Sequence, residues 1–161
     1  MDWSQLLDRH GPSLLLYARQ WTTCHADAEE AVQNGFLRFW RTRCSGNVPE
    51  VPLLFTAVKR AAQDLQRAGS RRAARETKAA EMLYEPDSMF SRNGHAPDRA
   101  RLIEEALRTL PEEQREVVVL KLWGELTFKE IAAALEIPAN TAASRYRYAL
   151  EALRGRITDE Q

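Results

Sequence analysis

The tightest constraint on the fold lies between Thr127 and Arg154, where two helix signatures stand only a few residues apart. Thr127 followed by Glu130 has the form of a capping box, and Phe128, Ile131, Ala132 and Leu135 then share one helical face. Glu136-Ile137-Pro138-Ala139 breaks that period, and Asn140 or Thr141 suits the cap of another helix reaching about Arg154. On it Ala142, Tyr146, Ala149, Leu150 and Leu153 recur at i, i+4, i+7, i+8 and i+11, so Tyr146 packs inward. Thr141, Ser144, Arg147, Tyr148 and Glu151 are left on the opposite face. Two helices joined by so short a turn, the second rich in Arg, Ser and Tyr, describe a helix-turn-helix.

The rest of the chain reads as helix too. Only seven Gly and seven Pro occur in 161 residues, and alternating β-branched runs are nearly absent. Upstream of the turn, Leu110-Pro111-Glu112-Glu113 opens a helix with acids at its positive end, Val117, Val118, Leu120 and Leu122 supply its buried side, and Gly124 closes it. Leu102, Ile103, Ala106 and Leu107 mark a short helix before it. In the N-terminal half, Leu6, Leu14, Tyr17 and Trp21 give apolar faces for one or two helices around Gly11-Pro12. Asp27 with Glu30 suits a cap for a second helix carrying Val32, Phe36 and Phe39, and Leu54, Val58, Ala61 and Leu65 stripe a third. Tyr84 to Pro97 has two prolines, Asn93-Gly94 and no period. The expectation is an all-α protein of two small helical domains, 1–72 and 99–161, joined by a flexible linker over 73–98.

Charge narrows the function. The chain holds 23 basic and 23 acidic side chains, a balance that at first argues against nucleic acid. Local distribution is different, because from 59 to 72 Lys59, Arg60, Arg67, Arg71 and Arg72 face Asp64 alone, whereas Asp27, Glu29 and Glu30 form an acidic stretch. Adjacent patches of opposite sign suggest two different partners. In the C-terminal helix, Arg147 suits a guanine edge, Ser144 and Thr141 suit bases or phosphates, and Arg145 on the flank suits the phosphate backbone. No nucleophile–base pair, metal spacing or Gly-rich phosphate loop argues for an enzyme, and Cys24 and Cys44 lack the pairing of a zinc site. No metal and no cofactor is therefore expected. Asp8, Arg9, His10 and Arg19 interrupt the N-terminal apolar stretch and no run approaches a membrane span, so a cytosolic chain without membrane insertion is expected.

The segment LPEEQREVVVLKLWGELTFKEIAAALEIPANTAASRYRYALEALR resembles region 4 of the extracytoplasmic-function (ECF) sigma factors of the sigma-70 family, with Asn140 in place of the motif Gly. DAEEAVQNGFLRFWR resembles their region 2.2, and LFTAVKRAAQDLQR resembles regions 2.3 and 2.4, with Arg60 where an Asn is common. A stand-alone helix-turn-helix regulator would account for the C-terminal match but not for these. The resemblance implies a factor that binds core RNA polymerase, recognises minus-10 and minus-35 promoter elements and assists strand opening. It places Asp27, Glu30, Gln33 and Asn34 against the β′ clamp helices, and Lys59, Arg60, Asp64 and Arg67 along the minus-10 strand, with Arg71 and Arg72 on phosphates. Thr141, Ser144, Arg145, Arg147 and Tyr148 would meet the minus-35 element. The flap of the β subunit, promoter DNA and an anti-sigma factor complete the implied partners.

Overall fold

The computed structural model describes residues 3–43, 51–75 and 98–159. Within them the chain forms α1 (Trp3–Ala18), α2 (His25–Arg43), α3 (Val51–Arg75), α4 (Asp98–Arg108), α5 (Glu112–Leu122), α6 (Phe128–Leu135) and α7 (Ala139–Asp159). The all-helical expectation holds. Of the expected linker, 73–75 continue α3 and 98 opens α4, while 76–97 and the expected end of α2 at 44–47 lie outside the described residues.

Several helix ends differ from the sequence reading for identifiable reasons. Gly11-Pro12 does not divide the first helix, since α1 runs through Pro12. Proline removes a single donor, and Leu6 on one side and Leu14 and Tyr17 on the other are fully buried anchors. Asp27 does not cap α2, which already begins at His25. Cys24 does so instead: its Sγ accepts the Asp27 N–H at 3.4 Å and its carbonyl the Ala28 N–H at 3.2 Å. A thiol in that position does the work of a serine hydroxyl. Nor do Asn140 or Thr141 cap α7, because the Pro138 carbonyl accepts the N–H groups of Thr141 and Ala142 at 3.0 and 3.1 Å, which starts the helix at Ala139. The capping box of α6 is present as read, with Glu130 N–H donating to Thr127 Oγ1 at 3.2 Å and Thr127 N–H to Glu130 Oε2 at 2.7 Å.

Helices α2 and α3 form the most extensive pairing of the fold. Gly35 makes it possible, because a Cβ there would lie 2.6 Å from Val58 Cα, so only a residue without a side chain lets the two backbones approach so closely. At the end of α5, Gly124 N–H bonds the Val119 carbonyl at 3.1 Å, and a Cβ at 124 would meet the Leu120 carbonyl oxygen at 2.6 Å. Helices α5, α6 and α7 pack around one another, with the Phe128 and Tyr146 rings edge to face at 5.5 Å. Tyr146 packs inward as its spacing requires.

The two halves also share a core. Leu14, Tyr17, Leu54, Phe55 and Val58 from the first cluster with Val117, Val119, Leu120, Leu126 and Ile131 from the second. A smaller cluster of Leu107, Leu110, Val118 and Ala149 seats α4 on α5 and α7. Contact runs through α1 against α5 and α3 against α6.

Candidate nucleic-acid interface

On α3, the buried stripe of Leu54, Phe55, Val58, Ala61 and Ala62 turns the polar residues outward. Arg60 and Arg67 are exposed. Asp64 is held by Arg38 of α2, with the guanidinium donating at 2.8 Å, and has Arg67 at 3.9 Å. Lys59 departs from this surface. Its Nζ donates to Glu116 Oε1 of α5 at 2.6 Å and lies 5.2 Å from the centroid of the Trp21 ring. The structure therefore brings Arg60, Asp64 and Arg67 to one face and turns Lys59 toward the other half of the molecule. The side chains of Arg71 and Arg72 lie outside the described residues.

On α7, Arg147 and Tyr148 stand out from the body, with Tyr148 51% exposed and the Arg147 guanidinium 5.1 Å from its ring centroid. Thr141 and Ser144 are half-buried near the N-terminus of the helix, and Ser144 Oγ donates back to the Asn140 carbonyl at 2.8 Å. Arg145 is paired at 3.0 Å with Glu113 in the first turn of α5. That pairing ties the flank of α7 to α5 while leaving Arg147 and Tyr148 exposed.

On α2, Glu30 and Gln33 are exposed, and Asp27 and Asn34 are half-buried. The same outward stripe continues through Leu37 and Trp40, two large apolar side chains exposed to 50% and 40%. Sequence reasoning passed over both. Their signal was available, since 30, 33, 37 and 40 follow i, i+3, i+7 and i+10, but Phe36 and Phe39 already satisfied the apolar face.

Sequence reasoning also missed Glu116, one of the two buried polar residues described in the fold along with Arg19. It accepts from Lys59 and, through the same Oε1, from the Tyr17 hydroxyl at 2.6 Å. Burial first, and the neighbouring Glu116 charge second, push the Tyr17 phenol well above its usual range. Around this centre Trp21 Nε1 donates to Glu112 at 3.1 Å, Arg115 Nε to Gln20 at 3.4 Å, Thr56 Oγ1 to the Ala134 carbonyl at 2.9 Å, and Ser13 Oγ to the Trp123 carbonyl. The sequence signal was a lone carboxylate beginning the run Val117–Leu120. Among the described residues no group of His, Cys, Asp and Glu is arranged to hold a metal ion, and no helix is long and apolar enough to cross a membrane.

Two helical halves, each presenting basic residues on an outward helix and the second ending in a short-turned helix pair, make up a two-module all-helical protein. The family description "Sigma-70 region 2" matches residues 6–72 and "Sigma-70, region 4" matches 100–153. The chain belongs to the ECF sigma factors of the sigma-70 family, which direct promoter-specific initiation by RNA polymerase. It is 33% identical over 132 residues to the ECF RNA polymerase sigma factor SigK of Mycobacterium ulcerans (strain Agy99), spanning 79% of this chain and 70% of that one. Its match to the ECF RNA polymerase sigma factor RpoE of Cereibacter sphaeroides is 35% over 79 residues, which covers 44% of either chain. Among solved structures, RpoE in complex with the anti-sigma factor NepR from Bartonella quintana superposes with a TM-score of 0.70 at 21% identity, covering 99% of both chains. CnrH in complex with the cytosolic domain of CnrY superposes with a TM-score of 0.68 at 24% identity, covering 98% of this chain and 88% of that one. These two likenesses are of fold.

Proposed function

We propose that the chain addresses core RNA polymerase to promoters through three separate faces. Arg60, Asp64 and Arg67, joined by Lys59 once it is released, follow the minus-10 strand, where basic groups track the backbone of separated bases. Thr141, Ser144, Arg147 and Tyr148 read the minus-35 element and Arg145 steadies the backbone beside it. Asp27, Glu30, Gln33 and Asn34, extended by Leu37 and Trp40, meet the β′ clamp helices, and the second half meets the β flap. An exposed apolar pair set among acids and amides is what a protein-binding helix face needs.

The observation that carries this reading is the match of two distinct sigma regions to the two halves, each half having an outward basic helix. Weak contacts suffice if polymerase tethers both, which accounts for the balanced overall charge. The chemistry then belongs to the polymerase, the chain works in the cytoplasm without a cofactor, and an anti-sigma factor is its natural inhibitor, a reading supported by the solved neighbour that is held in complex with an anti-sigma factor.

Reconstituted transcription tests this. Purified protein added to bacterial core polymerase should yield promoter-specific transcripts from its own genomic DNA, and their absence on every template would hand the case to a stand-alone helix-turn-helix regulator. Arg147→Ala should weaken binding by about 1–3 kcal/mol and relax preference at a single minus-35 base pair. An unchanged occupancy and unchanged base preference would remove Arg147 from the reading face.

A further inference from the structure

Between the end of α2, the start of α3 and the end of α6 lies a cleft of about 540 Å³. That volume suits a small organic molecule, and sites for such molecules combine an apolar lining with a few convergent charges. Phe39, Leu53 and Ala57 supply the apolar lining. Thr42 and Thr56 also line the cleft, but each spends its one hydroxyl hydrogen on backbone. Thr42 Oγ1 donates to the Arg38 and Phe39 carbonyls at 3.1 and 3.0 Å, and Thr56 Oγ1 to those of Pro52 and Ala134 at 3.1 and 2.9 Å. The floor therefore rewards apolar contact rather than hydrogen bonding.

The rim is charged unevenly. Arg38, Arg41 and Arg60 line the side made by α2 and α3, and Glu136 is the one carboxylate among the described lining residues. Asp64 already holds Arg38 at 2.8 Å, which leaves Arg41 and Arg60, both exposed, to act on whatever enters. Two guanidiniums against one carboxylate leave a surplus of a single positive charge. Glu136 also caps the C-terminal, negative end of α6, so an anion is repelled from that wall and drawn toward the arginines. Inorganic phosphate would gain nothing from the apolar floor, and a neutral apolar molecule would leave the guanidiniums unanswered.

We infer that the cleft is a ligand site for an amphipathic organic monoanion, its carboxylate on Arg41 and Arg60 and its apolar body on Phe39, Leu53 and Ala57. A guanidinium and a carboxylate match as two planar forks, so the pair fixes the direction of the ligand as well as holding it. Arg41 belongs to none of the three proposed binding faces, whereas Arg60 is shared with the face proposed for the minus-10 strand. An occupied cleft withholds Arg60 from DNA, and that consequence alone rests on the proposed function.

Naphthoate serves as the probe, with naphthamide as its neutral twin and acetate and inorganic phosphate as anions without an apolar body. Two-dimensional amide NMR of the isotope-labelled full chain should show saturable naphthoate shifts centred on 38–42, 53–60 and 133–136. Naphthamide should bind at least about tenfold more weakly, because it loses the charge-assisted hydrogen bonds. Acetate and phosphate should leave these amides unmoved. Arg41→Gln should weaken naphthoate by a similar factor, and Ala133→Leu, which fills the cleft from an exposed position on α6, should abolish binding. In transcription reconstituted with core polymerase, saturating naphthoate should cut the promoter-specific transcript several-fold for the wild type and leave that of Arg41→Gln unchanged. Equal binding of naphthamide, shifts centred away from the cleft, or an Arg41→Gln or Ala133→Leu chain that binds as well as the wild type each overturn the site. Binding as expected beside a transcript that naphthoate does not alter overturns the withholding of Arg60. A wild-type chain that binds naphthoate but yields no promoter-specific transcript overturns the proposed function and leaves the cleft standing.

Discussion

The seam between α2 and α3 and the junction between the two halves are both buried, but they are made of different material. Across the seam, Ala28, Ala31, Phe39, Leu54, Val58 and Ala61 are packed apolar side chains, Gly35 lets the backbones touch, and the Arg38–Asp64 tie sits at the exposed rim. The junction mixes apolar contacts with Tyr17, Trp21, Lys59, Glu112 and Glu116, and the Tyr17 ring is edge to face with Trp21 at 4.9 Å and Phe55 at 5.4 Å. Apolar close packing loses most of its stabilisation on any separation, because nothing in water replaces it. Hydrogen bonds to solvent replace most of what a polar contact loses. The junction shares an apolar core as well, but a larger part of it is polar, so water can replace more of what it would lose than of what the seam would lose.

The sharpest way to break that contrast is to hollow the seam. Leu54→Ala removes a fully buried side chain from α3 and should cost about 2–5 kcal/mol, measured as a lowered urea midpoint. A cost below that of any junction variant would mean that the seam is not the rigid part. Overfilling it should cost less. Gly35→Ala drives a methyl group into Val58 and should lose about 1–3 kcal/mol. If Gly35→Ala unfolds at the wild-type midpoint, the close approach of α2 and α3 is not what holds the first half together.

Much of the seam was legible in the sequence, and the junction was not. Periodicity finds Leu54, Val58 and Ala61 because burial against a neighbouring helix leaves a local signature every three or four residues. The Thr127–Glu130 capping box and the inward Tyr146 were likewise local. Glu116, Tyr17 and Lys59 carry no such mark, since their meeting depends on how two separately legible halves dock, across sequence separations of 99 and 57 residues. Lys59 shows the limit plainly: its place in a basic run pointed outward to DNA, and only tertiary structure turns it toward α5. The caps of α2 and α7 were displaced for a smaller reason. Cys24 and Pro138 can fill roles that propensity gives first to Asp, Asn and Thr.

A weaker perturbation addresses the junction itself. Tyr17→Phe deletes one hydrogen bond to a charged acceptor while leaving the Lys59–Glu116 pair, and should cost about 1.5 kcal/mol. It also carries a pH signature. The folded phenol ionises well above 10.0, with burial as the main cause, whereas the unfolded phenol ionises near its ordinary value. The neutral form therefore favours the fold: this contribution is full below pH 10.0 and falls away as pH climbs through the interval up to the folded value. Urea midpoints of the wild type minus those of Tyr17→Phe should stay constant through neutral pH and shrink under alkali. A difference that grows with alkali would show that the hydroxyl is not buried against Glu116.

The smallest effect belongs to the polar tie on the seam. Arg38 and Asp64 are 2.8 Å apart, but their side chains are 52% and 50% exposed, so water and salt screen them. Arg38→Ala should change stability by less than about 1 kcal/mol, and the change should vanish in high salt. Asp64 keeps Arg67 at 3.9 Å in that variant, so the acid is not stranded. If Arg38→Ala instead costs as much as Tyr17→Phe and survives high salt, a polar contact is holding the seam. The contrast between an apolar seam and a junction of mixed polar and apolar contacts would then fall, since charged groups would contribute alike to both.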